Sequence, residues 1–429
     1  MVYHNNRGVK CNMGKKIMIV GANFADKGSQ ARLFVLIDEL KKRLSDCEVY
    51  YAHNDEQLDD ALYRFKKFSY TKKEQAQVLK SNPLGGLTKL FKKKDESASG
   101  EDLTGIISQM DLMIDISDHV LVDTSSLDDI EYYMNNIRIA RKFKIPMVIM
   151  PQSFGPFDFD MDSMHVLGEL KDLLFYPKVI FTREQDGYNE LIGYFGLDNM
   201  RNATDMLLLK NDFDLSNVST RFYRPEVPEI PTSNNVAIVP CALAFDKKYR
   251  DKTMDMYKKL FEVLNMAKKN VYIMSQNTAD QEACKTLASE FRNFSNVNFI
   301  ESELDCVQTN MLISSFEIVI SSHYSTCVES YRHFIPVLLL GTGAKYRELA
   351  ELFGQEKLNF DILSEECNNF DVADALTDLC NDIDLAKTRV QTRTLNIQGD
   401  TCFAIFDELG WPRVATEEEP VDQGAEVVF

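Results

Sequence analysis

Short apolar runs alternate with helix-length segments along most of the chain. The first run, Ile17–Val20, is followed by a polar loop and then by apolar residues at helical spacing up to Leu44. Similar runs follow at 112–116, 146–150 and 178–182, each bounded by turn residues. Because the runs are continuously apolar, they predict a parallel sheet that helices cover on both faces.

The alternation stops at a proline-rich segment and starts again beyond it. Three prolines lie within residues 225–231, and apolar runs return between 236 and 341. This pattern predicts an α/β protein with two Rossmann-like lobes, whose parallel sheets face a central cleft. The predicted segments are an N-terminal extension (1–15), a first lobe (16–210), a linker (211–235), a second lobe (236–399), and a C-terminal helix with an acidic tail (400–429).

The composition is that of a globular protein, and the net charge narrows the classes of ligand. Of the 429 residues, 45% are hydrophobic and 27% are charged, which are ordinary fractions. The formal charge of −18 repels the phosphate backbone of nucleic acids, so we expect no nucleic-acid partner. An anionic substrate would need a pocket that is locally positive.

Cysteine usage and the lack of long apolar segments predict a cytoplasmic protein. Nine cysteines are spread singly, without a C-x-x-C pair, which is typical of a reducing compartment. The basic start of the chain is not followed by the apolar stretch of a signal peptide, and no run of 18 apolar residues occurs.

One insertion in the first lobe, residues 64–100, is rich in lysine and arginine. Two interpretations stay open. The insertion is either a solvated helical excursion, or a peripheral contact to the anionic inner face of a membrane or to a lipid carrier linked through pyrophosphate.

The loops that follow the predicted strands are the candidate site, since ligands of open parallel sheets bind beyond the carboxyl ends of the strands. These loops contain neither G-x-G-x-x-G nor G-x-x-x-x-G-K-[ST], so the dinucleotide and P-loop fingerprints are missing. H-E-x-x-H, clustered His and Cys residues, and G-x-S-x-G are also missing. We therefore expect a site that binds an anion without a metal ion.

Four residues in these loops are candidates by position. The amides near Gly28, with Lys27 beside them, either hold an anion at a helix start or form a simple turn and cap. Arg183 follows an apolar run and is either a ligand clamp or part of an ion pair between the lobes. Asp115 also follows an apolar run and is either a base or a cap for the next loop.

Six segments match a known family when they are taken together. They are DKGSQA (26–31), DLMIDISD (111–118), PQSFGPF (151–157), FTRE (181–184), ATDMLLL (203–209) and GTGAKY (341–346). In order and spacing they resemble the polysaccharide pyruvyl transferase family over nearly the whole chain. The resemblance implies two lobes arranged as in GT-B glycosyltransferases.

The resemblance also implies a reaction. Members of the family transfer a pyruvyl group from phosphoenolpyruvate to two hydroxyls of a sugar, which forms a ketal on a capsule or exopolysaccharide or on its lipid-linked precursor. Phosphoenolpyruvate is then the co-substrate, and no cofactor is implied. Its charged groups need cationic clamps, and its methylene carbon needs a proton from a general acid.

The matched segments assign roles to residues. Arg183 and Lys345 match family positions suited to the donor clamp, and Asp115 matches a carboxylate that orients or deprotonates the acceptor. The remaining loop residues are assigned to the donor side (Lys27, Gly28 and Ser322) and to the acceptor side (Gln152, Asp118 and Tyr324).

The segment SSHYS (321–325) departs from the family pattern. Counting back from Pro336, the family's Arg-x-His falls on His323 and Ser325. In the other register His323 replaces the family histidine, the arginine falls on Ser321, and two residues are inserted. In the first register the arginine is replaced by His323, which is mostly neutral near pH 7, and in the second it is replaced by the uncharged Ser321. A cationic clamp is missing in both registers. We predict that His323 is the general acid or a partial clamp, and Ser325 competes with it for the histidine's place.

Three functions remain open at this point. The first is a ketal pyruvyltransferase with a variant donor pocket. The second is a GT-B-type glycosyltransferase that uses a sugar nucleotide, for which the missing cationic group matters less. The third is a catalytically silent relative that serves as a binding or assembly subunit.

Overall fold

The computed structural model describes residues 14–54, 62–81, 103–159, 164–209, 213–220, 226–301, 304–397 and 402–413. Nearly all of the predicted N-terminal extension, much of the basic insertion, parts of the linker and most of the acidic tail lie outside the described residues.

The first half of the chain forms a parallel sheet covered by helices. Its strands are β1 (Lys16–Val20), β2 (Glu48–His53), β3 (Lys66–Ser69), β4 (Leu112–Asp115), β5 (Met147–Gln152), β6 (Val179–Thr182) and β7 (Met200–Asn202). Their order across the sheet is β3-β2-β1-β4-β5-β6-β7, and all neighbours run parallel. The described helices of this half are α1 (Lys27–Arg43), α2 (Lys72–Lys80), α3 (Leu103–Ile107), α4 (Leu127–Phe143), α5 (Met164–Leu174), α6 (Gln185–Phe195) and α7 (Leu215–Val218).

The second half repeats the same architecture with a smaller sheet. Its strands are β8 (Asn235–Val239), β9 (Asn270–Ile273), β10 (Val297–Phe299), β11 (Ile318–Ser321) and β12 (Val337–Leu339). They are parallel, in the order β10-β9-β8-β11-β12. The described helices are α8 (Arg250–Met266), α9 (Gln281–Glu290), α10 (Cys306–Ile313), α11 (Tyr324–Arg332), α12 (Ala344–Phe353), α13 (Asn369–Asn381), α14 (Ile383–Asn396) and α15 (Ala404–Glu408). The prediction of two α/β lobes with parallel sheets is confirmed.

The sequence pattern predicts the central strands and misses three others. Strand β1 and strands β4 to β6 are apolar and almost completely buried, which is why they stand out in the sequence. Strand β3, at the edge of the sheet, has the sequence KKFS with two exposed residues, and β7 has only one buried residue. Strand β2 mixes tyrosines with a glutamate and a histidine. The first part of the predicted basic insertion therefore contains a strand of the sheet.

Helix α1 lies between the two lobes and is buried on nearly all sides. Fourteen of its seventeen residues are buried. Its apolar side chains belong to one hydrophobic cluster that also contains Ile19 from the first sheet and Val319 and Leu339 from the second. A single apolar core therefore continues from one lobe into the other, and its burial is the main favourable term for their association.

The polar residues of α1 find partners in the second lobe and in the cleft. The side chain of Gln30 accepts a hydrogen bond from the backbone amide of Cys306, at the start of α10, at 2.9 Å. Arg32 lies 3.2 Å from the carboxylate of Asp118. These pairs offset part of the cost of burying polar groups in a helix that has little contact with water.

The last described segment returns to the first lobe. Arg43, at the end of α1, forms an ion pair with Asp407 of α15 and donates a hydrogen bond to the backbone oxygen of Trp411 at 2.9 Å. Arg413 forms an ion pair with the buried carboxylate of Glu39 at 2.6 Å. The C-terminal segment thus holds α1 from the side opposite the cleft loops.

Among the described helices, none combines the length and the apolar character needed to cross a membrane.

Gly28 packs directly against the second lobe, and this contact yields a test. A Cβ atom added at Gly28 would lie 2.3 Å from Cβ of Ser325, which belongs to the first turn of α11. We expect Gly28→Ala to lower the free energy of unfolding by about 1–3 kcal/mol, because the two helices must move apart. Chemical denaturation would measure the change.

A matched substitution and a rescue make this test specific. Gly168 of α5 is exposed and has nothing within 4 Å of an added Cβ, so Gly168→Ala should be neutral or stabilise the protein by up to about 1 kcal/mol. Adding Ser325→Gly to Gly28→Ala should restore part of the loss. Equal effects of Gly28→Ala and Gly168→Ala would contradict the proposed contact.

Candidate active site

Loops at the carboxyl ends of the central strands of both sheets meet in the cleft. The loops after β4, β5 and β6 provide Asp118, Ser153 and Arg183, while the loops after β11 and β12 provide Tyr324 and Lys345. The position agrees with the general rule for parallel sheets. The contacts below show which of these side chains touch.

Arg183 is the centre of a buried polar cluster. Its Nη1 lies 2.6 Å from Oδ1 of Asp118 and 3.0 Å from Oδ2 of Asp205. Its Nη2 donates a hydrogen bond to the hydroxyl of Ser153 at 2.6 Å, and its guanidinium lies 4.6 Å from the ring centre of Tyr324. The Arg183 side chain is only 1% exposed. Its Nε also lies 3.5 Å from Oε1 of Glu184, so the charge is fixed in place and three carboxylates share it.

Asp118 joins the two arginines of the cleft. Burial alone would raise the pKa of its carboxyl group, but Arg183, Arg32 and Lys345 together hold this pKa well below its usual range. Asp118 is therefore ionised at pH 7. Its role in the structure is to hold the Arg183 guanidinium, and the acceptor role assigned from the sequence remains a prediction.

Lys345 is a cation without a close anionic partner. Its Nζ lies 5.9 Å from the ring centre of Tyr324 and 5.7 Å from that of Tyr346. Among the described residues it has neither a hydrogen-bond acceptor nor an ion pair within 4.0 Å. Burial lowers its pKa, an effect that Asp118 opposes. Lys345 can therefore receive an anion that enters the cleft.

A cavity of about 350 Å³ opens beside these cations. Arg183, Thr204 and Asp205 line it from the first lobe, and Tyr324 and Lys345 line it from the second. Both predicted clamp residues thus contact one cavity between the lobes, together with Tyr324, which the sequence analysis assigned to the acceptor.

Asp115 is buried deeper in the first lobe than the sequence suggests. Its Oδ1 accepts a hydrogen bond from the backbone amide of Ser117 at 2.9 Å, and burial raises the pKa of its carboxyl group to about 6. The side chain of Gln152, also fully buried, lies beside it and donates a hydrogen bond to the Tyr133 hydroxyl at 3.3 Å. Asp115 is 0% exposed, and Ser117 and Gly21 pack against it. A ligand could contact its carboxylate only if these two residues moved.

A second cavity, of about 780 Å³, lies over this part of the first lobe. Ser117 and Tyr133 line it next to Asp115, and Asn54, Lys72 and Tyr132 line it farther out. Amide, phenol and ammonium groups suit a ligand with many hydroxyls. None of the three residues assigned to the acceptor lines it.

His323 is held by the second lobe. It precedes α11, and its Nε2 lies 3.0 Å from Oδ2 of Asp280 and 3.2 Å from the backbone oxygen of Pro240. Asp280 is 2% exposed and also accepts a hydrogen bond from the amide of Ala242 at 2.9 Å. A buried carboxylate therefore fixes the orientation of the imidazole, as in many proton-transfer pairs.

The two serines of the same turn lie elsewhere. The hydroxyl of Ser325 accepts a hydrogen bond from Gln276 at 3.1 Å, and Ser325 packs against Gly28. Ser322 is buried, and its backbone oxygen accepts a hydrogen bond from the Tyr346 hydroxyl at 2.8 Å. Neither serine lines the cavity beside Lys345.

The start of α1 forms a cap and a contact between the lobes. Asp26 accepts a hydrogen bond from the backbone amide of Ser29 at 2.7 Å, which is an N-cap. The ammonium of Lys27 donates to the backbone oxygen of Ser275 in the second lobe, and burial lowers its pKa. The two alternatives for this loop were an anion site and a cap, and the structure shows the cap. Gly28 packs against Ser325 of the second lobe.

The sequence analysis missed His119, which directly follows Asp118. Its side chain is exposed at the surface of the cleft, and desolvation by the surrounding protein, followed by the charge of Lys345, lowers the pKa of its imidazole to about 4, so it is neutral at pH 7. His119 is therefore a second candidate for proton transfer. Its position in the DISDH loop was a usable signal, because this loop follows a central strand.

Glu329 of α11 was also missed, and no sequence signal marks it. It is 0% exposed, and among the described residues neither carboxylate oxygen has a hydrogen-bond partner. Burial raises its pKa to about 7, with opposing effects from Arg332, Lys27 and Arg32 and a further increase from Asp26. The burial results from the contact of α11 with α1, which involves residues far apart in the chain.

The two lobes and their cleft correspond to a fold that several solved structures share. A putative UDP-N-acetylglucosamine 2-epimerase from Listeria monocytogenes aligns with a TM-score of 0.56 at 12% identity, over 94% of this chain and 99% of that chain. A UDP-GlcNAc 2-epimerase from Methanocaldococcus jannaschii aligns with a TM-score of 0.51 at 13% identity, over 84% and 91% of the two chains. UGT2 of Phytolacca americana, solved with UDP-2fluoro-glucose and pterostilbene, aligns with a TM-score of 0.53 at 10% identity, over 92% and 99%. The fold is GT-B-like.

The family follows from the sequence itself. The family model for polysaccharide pyruvyl transferase matches residues 26–342, which include every described strand except β1. No curated protein matches the chain. The chain belongs to the polysaccharide pyruvyl transferase family.

The buried Glu329 carboxyl group should make stability depend on pH. The contribution of the protonated carboxyl group to the free energy of unfolding is complete below its ordinary pKa of 4.5. This contribution is lost as the pH rises through about 7. We expect Glu329→Gln to be more stable than the natural protein at pH 8.5, by on the order of 3 kcal/mol, with a smaller difference near pH 5. Thermal unfolding across this pH range measures it.

An exposed glutamate provides the control. Glu262 lies on the outer face of α8, and Glu262→Gln should keep the pH dependence of the natural protein. The account of Glu329 is wrong if Glu329→Gln also keeps it.

Proposed function

We propose that this protein transfers a pyruvyl group from phosphoenolpyruvate to two hydroxyls of one sugar, which forms a ketal on a surface polysaccharide or its precursor. The observation that carries the proposal is the family match over residues 26–342. The cavity between the lobes supports it, because Arg183 and Lys345 both line the cavity. Polysaccharide pyruvylation is the activity for which the family is named.

The reaction sets the groups that the site must supply. A proton is added to the methylene carbon of phosphoenolpyruvate, and a sugar hydroxyl attacks the neighbouring carbon. Phosphate then leaves with the bonding electrons of its C–O bond, and a second hydroxyl of the same sugar takes its place. The two sugar hydroxyls release two protons in total. One replaces the proton that was added to the methylene carbon, and the other leaves with phosphate.

Lys345 is the proposed contact for the negative charge of the donor. Its ammonium borders the cavity and has no close anionic partner among the described residues. Arg183 is already shared between Asp118 and Asp205, so its proposed role is to hold Tyr324 and the cavity wall and to add positive potential. Such fixed charges stabilise the charge that develops in the transition state.

His323 is the proposed proton donor, and Asp280 is its positioning residue. The carboxylate of Asp280 lies 3.0 Å from Nε2 and orients the ring. His119, neutral and near Lys345, is the alternative base for the sugar hydroxyl. Asp115 is proposed to shape the first-lobe cavity through Ser117 rather than to touch a substrate.

The acceptor is proposed to be a sugar, which the first-lobe cavity of about 780 Å³ suits. The lysines at the outer edge of this cavity and the basic insertion are compatible with a lipid-diphosphate-linked acceptor at the inner face of a membrane.

One observation favours a second candidate, a glycosyltransferase with a sugar-nucleotide donor. Arg183 is largely neutralised by three carboxylates, so the cleft offers fewer free cations than a small, highly charged donor would use. A titration with both donor types decides between the candidates.

The decisive experiment measures donor binding and turnover. We expect phosphoenolpyruvate to bind by calorimetry and to release phosphate when galactose-containing acceptors are added. Lys345→Met should lower kcat/KM by about 10²–10³-fold, because it removes a charge at the transition state. Lys357→Met, at a cavity on the far side of the second lobe, should leave kcat/KM unchanged.

The outcomes are distinct. If UDP-sugars bind and phosphoenolpyruvate does not, the protein is a glycosyltransferase and the proposal is wrong. If neither donor binds or is turned over, the protein is the catalytically silent relative.

The two histidines can be separated by their pH profiles. We expect His323→Gln to lower kcat more than KM changes, because the proton donor is lost, and to remove the fall of kcat at high pH that loss of a donor's proton causes. Asp280→Asn should lower kcat without abolishing turnover, because the imidazole loses the carboxylate that orients it. If His119→Gln has the larger effect on kcat and His323→Gln has none, then His119 is the proton-transfer group.

A further inference from the structure

Glu348 of α12 crosses the mouth of the cavity beside Lys345 and contacts the other lobe. One of its carboxylate oxygens accepts a hydrogen bond from the backbone amide of Gln185 at 2.7 Å, and the other accepts from Asp186 at 3.0 Å. These amides are the first two of helix α6. Arg347 also forms an ion pair with Asp186 across the same gap.

Helix α6 lacks a cap from its own lobe. Glu184 occupies the N-cap position but makes no capping hydrogen bond with its side chain. Unpaired amides and the helix dipole make this end of a helix a favourable place for an anion. The carboxylate of Glu348 occupies that place and stands in for an anionic ligand.

A further observation in the same cavity indicates a ligand. Lys345 lines the cavity with no close anionic partner among the described residues. Arg183 also lines it, but its charge already faces Asp118, Asp205 and Glu184, whose Oε1 lies 3.5 Å from Nε. A largely buried ammonium group usually has a partner, which a bound phosphate or carboxylate oxygen would provide to Lys345.

The charges of the cavity favour exchange of one anion for another. Its lining contains the carboxylates of Glu184, Asp205 and Glu348 and the cations Arg183 and Lys345. While Glu348 is inside, carboxylates outnumber cations, and a second anion is repelled. Once Glu348 leaves, the amides of α6 and Lys345 are available together.

We propose that the N-terminus of α6 and Lys345 form a phosphate site, and that Glu348 occupies it until the phosphate of a ligand displaces it. The displacement needs little energy. Arg347 and Asp186 are each about half exposed, at 51% and 52%, and such surface pairs contribute only about 0–1 kcal/mol. The core between the lobes stays closed, so rotation of a side chain suffices to open the site.

The proposal rests on the proposed function only for the identity of the ligand. The shared chemistry is a phosphate group, which either phosphoenolpyruvate or a sugar nucleotide supplies. Inorganic phosphate is therefore the probe, and the two donors serve as competitors against it.

The experiment compares phosphate binding by calorimetry in four proteins. We expect Glu348→Gln to bind inorganic phosphate about fivefold more tightly than the natural protein, because an uncharged amide competes less well for the helix terminus. Lys345→Met should lose this binding. Glu351→Gln removes the same charge from the exposed side of α12 and should leave the affinity unchanged.

Two results would overturn the inference. One is an unchanged or weaker affinity in Glu348→Gln. The other is an equal gain in Glu351→Gln, which would indicate an effect of net charge alone. Tighter phosphate binding in Glu348→Gln without pyruvyl transfer would support this site and reject the proposed function. Competition by phosphoenolpyruvate or by UDP then identifies which donor supplies the phosphate.

Discussion

The structure depends on the burial of helix α1 between the two lobes. A helix this deeply buried must satisfy its polar residues within the protein, and it does so with groups from both halves of the chain. The loops that follow the central strands are consequently held at fixed separations. The lobes are therefore in close contact at Gly28 and Ser325, and a cavity opens between them beside Tyr324 and Lys345.

The cleft shows how an acidic protein can prepare a place for an anion. The net charge of −18 works against any anionic substrate over long distances. Within the cleft, Arg183 is compensated by its own carboxylates, which keeps a buried charge tolerable. Among the described residues that line the cavity, Lys345 is the cation that has no close anionic partner. The balance is local, and the overall charge does not reveal it.

The sequence predicts the fold well and the site in part, and the reason is the range of the interactions. Strand β1 and helix α1 are local patterns, and the loops after the central strands must meet at one edge of each sheet, so Arg183 and Lys345 could be placed in one cleft. The pairing of Arg183 with Asp205, the Asp280 partner of His323 and the crossing of Glu348 to α6 depend on how the lobes dock. No periodicity within the chain encodes that docking.

The shared core has a consequence for the order of folding during synthesis. The first lobe leaves the ribosome before β11, α10 and the C-terminal segment exist, so the apolar side of α1 that they cover has nothing to pack against. The ion pairs that the C-terminal segment forms with α1 involve Asp407 and Arg413, which are synthesised after both sheets. The nascent first lobe should therefore remain incomplete until this segment has emerged.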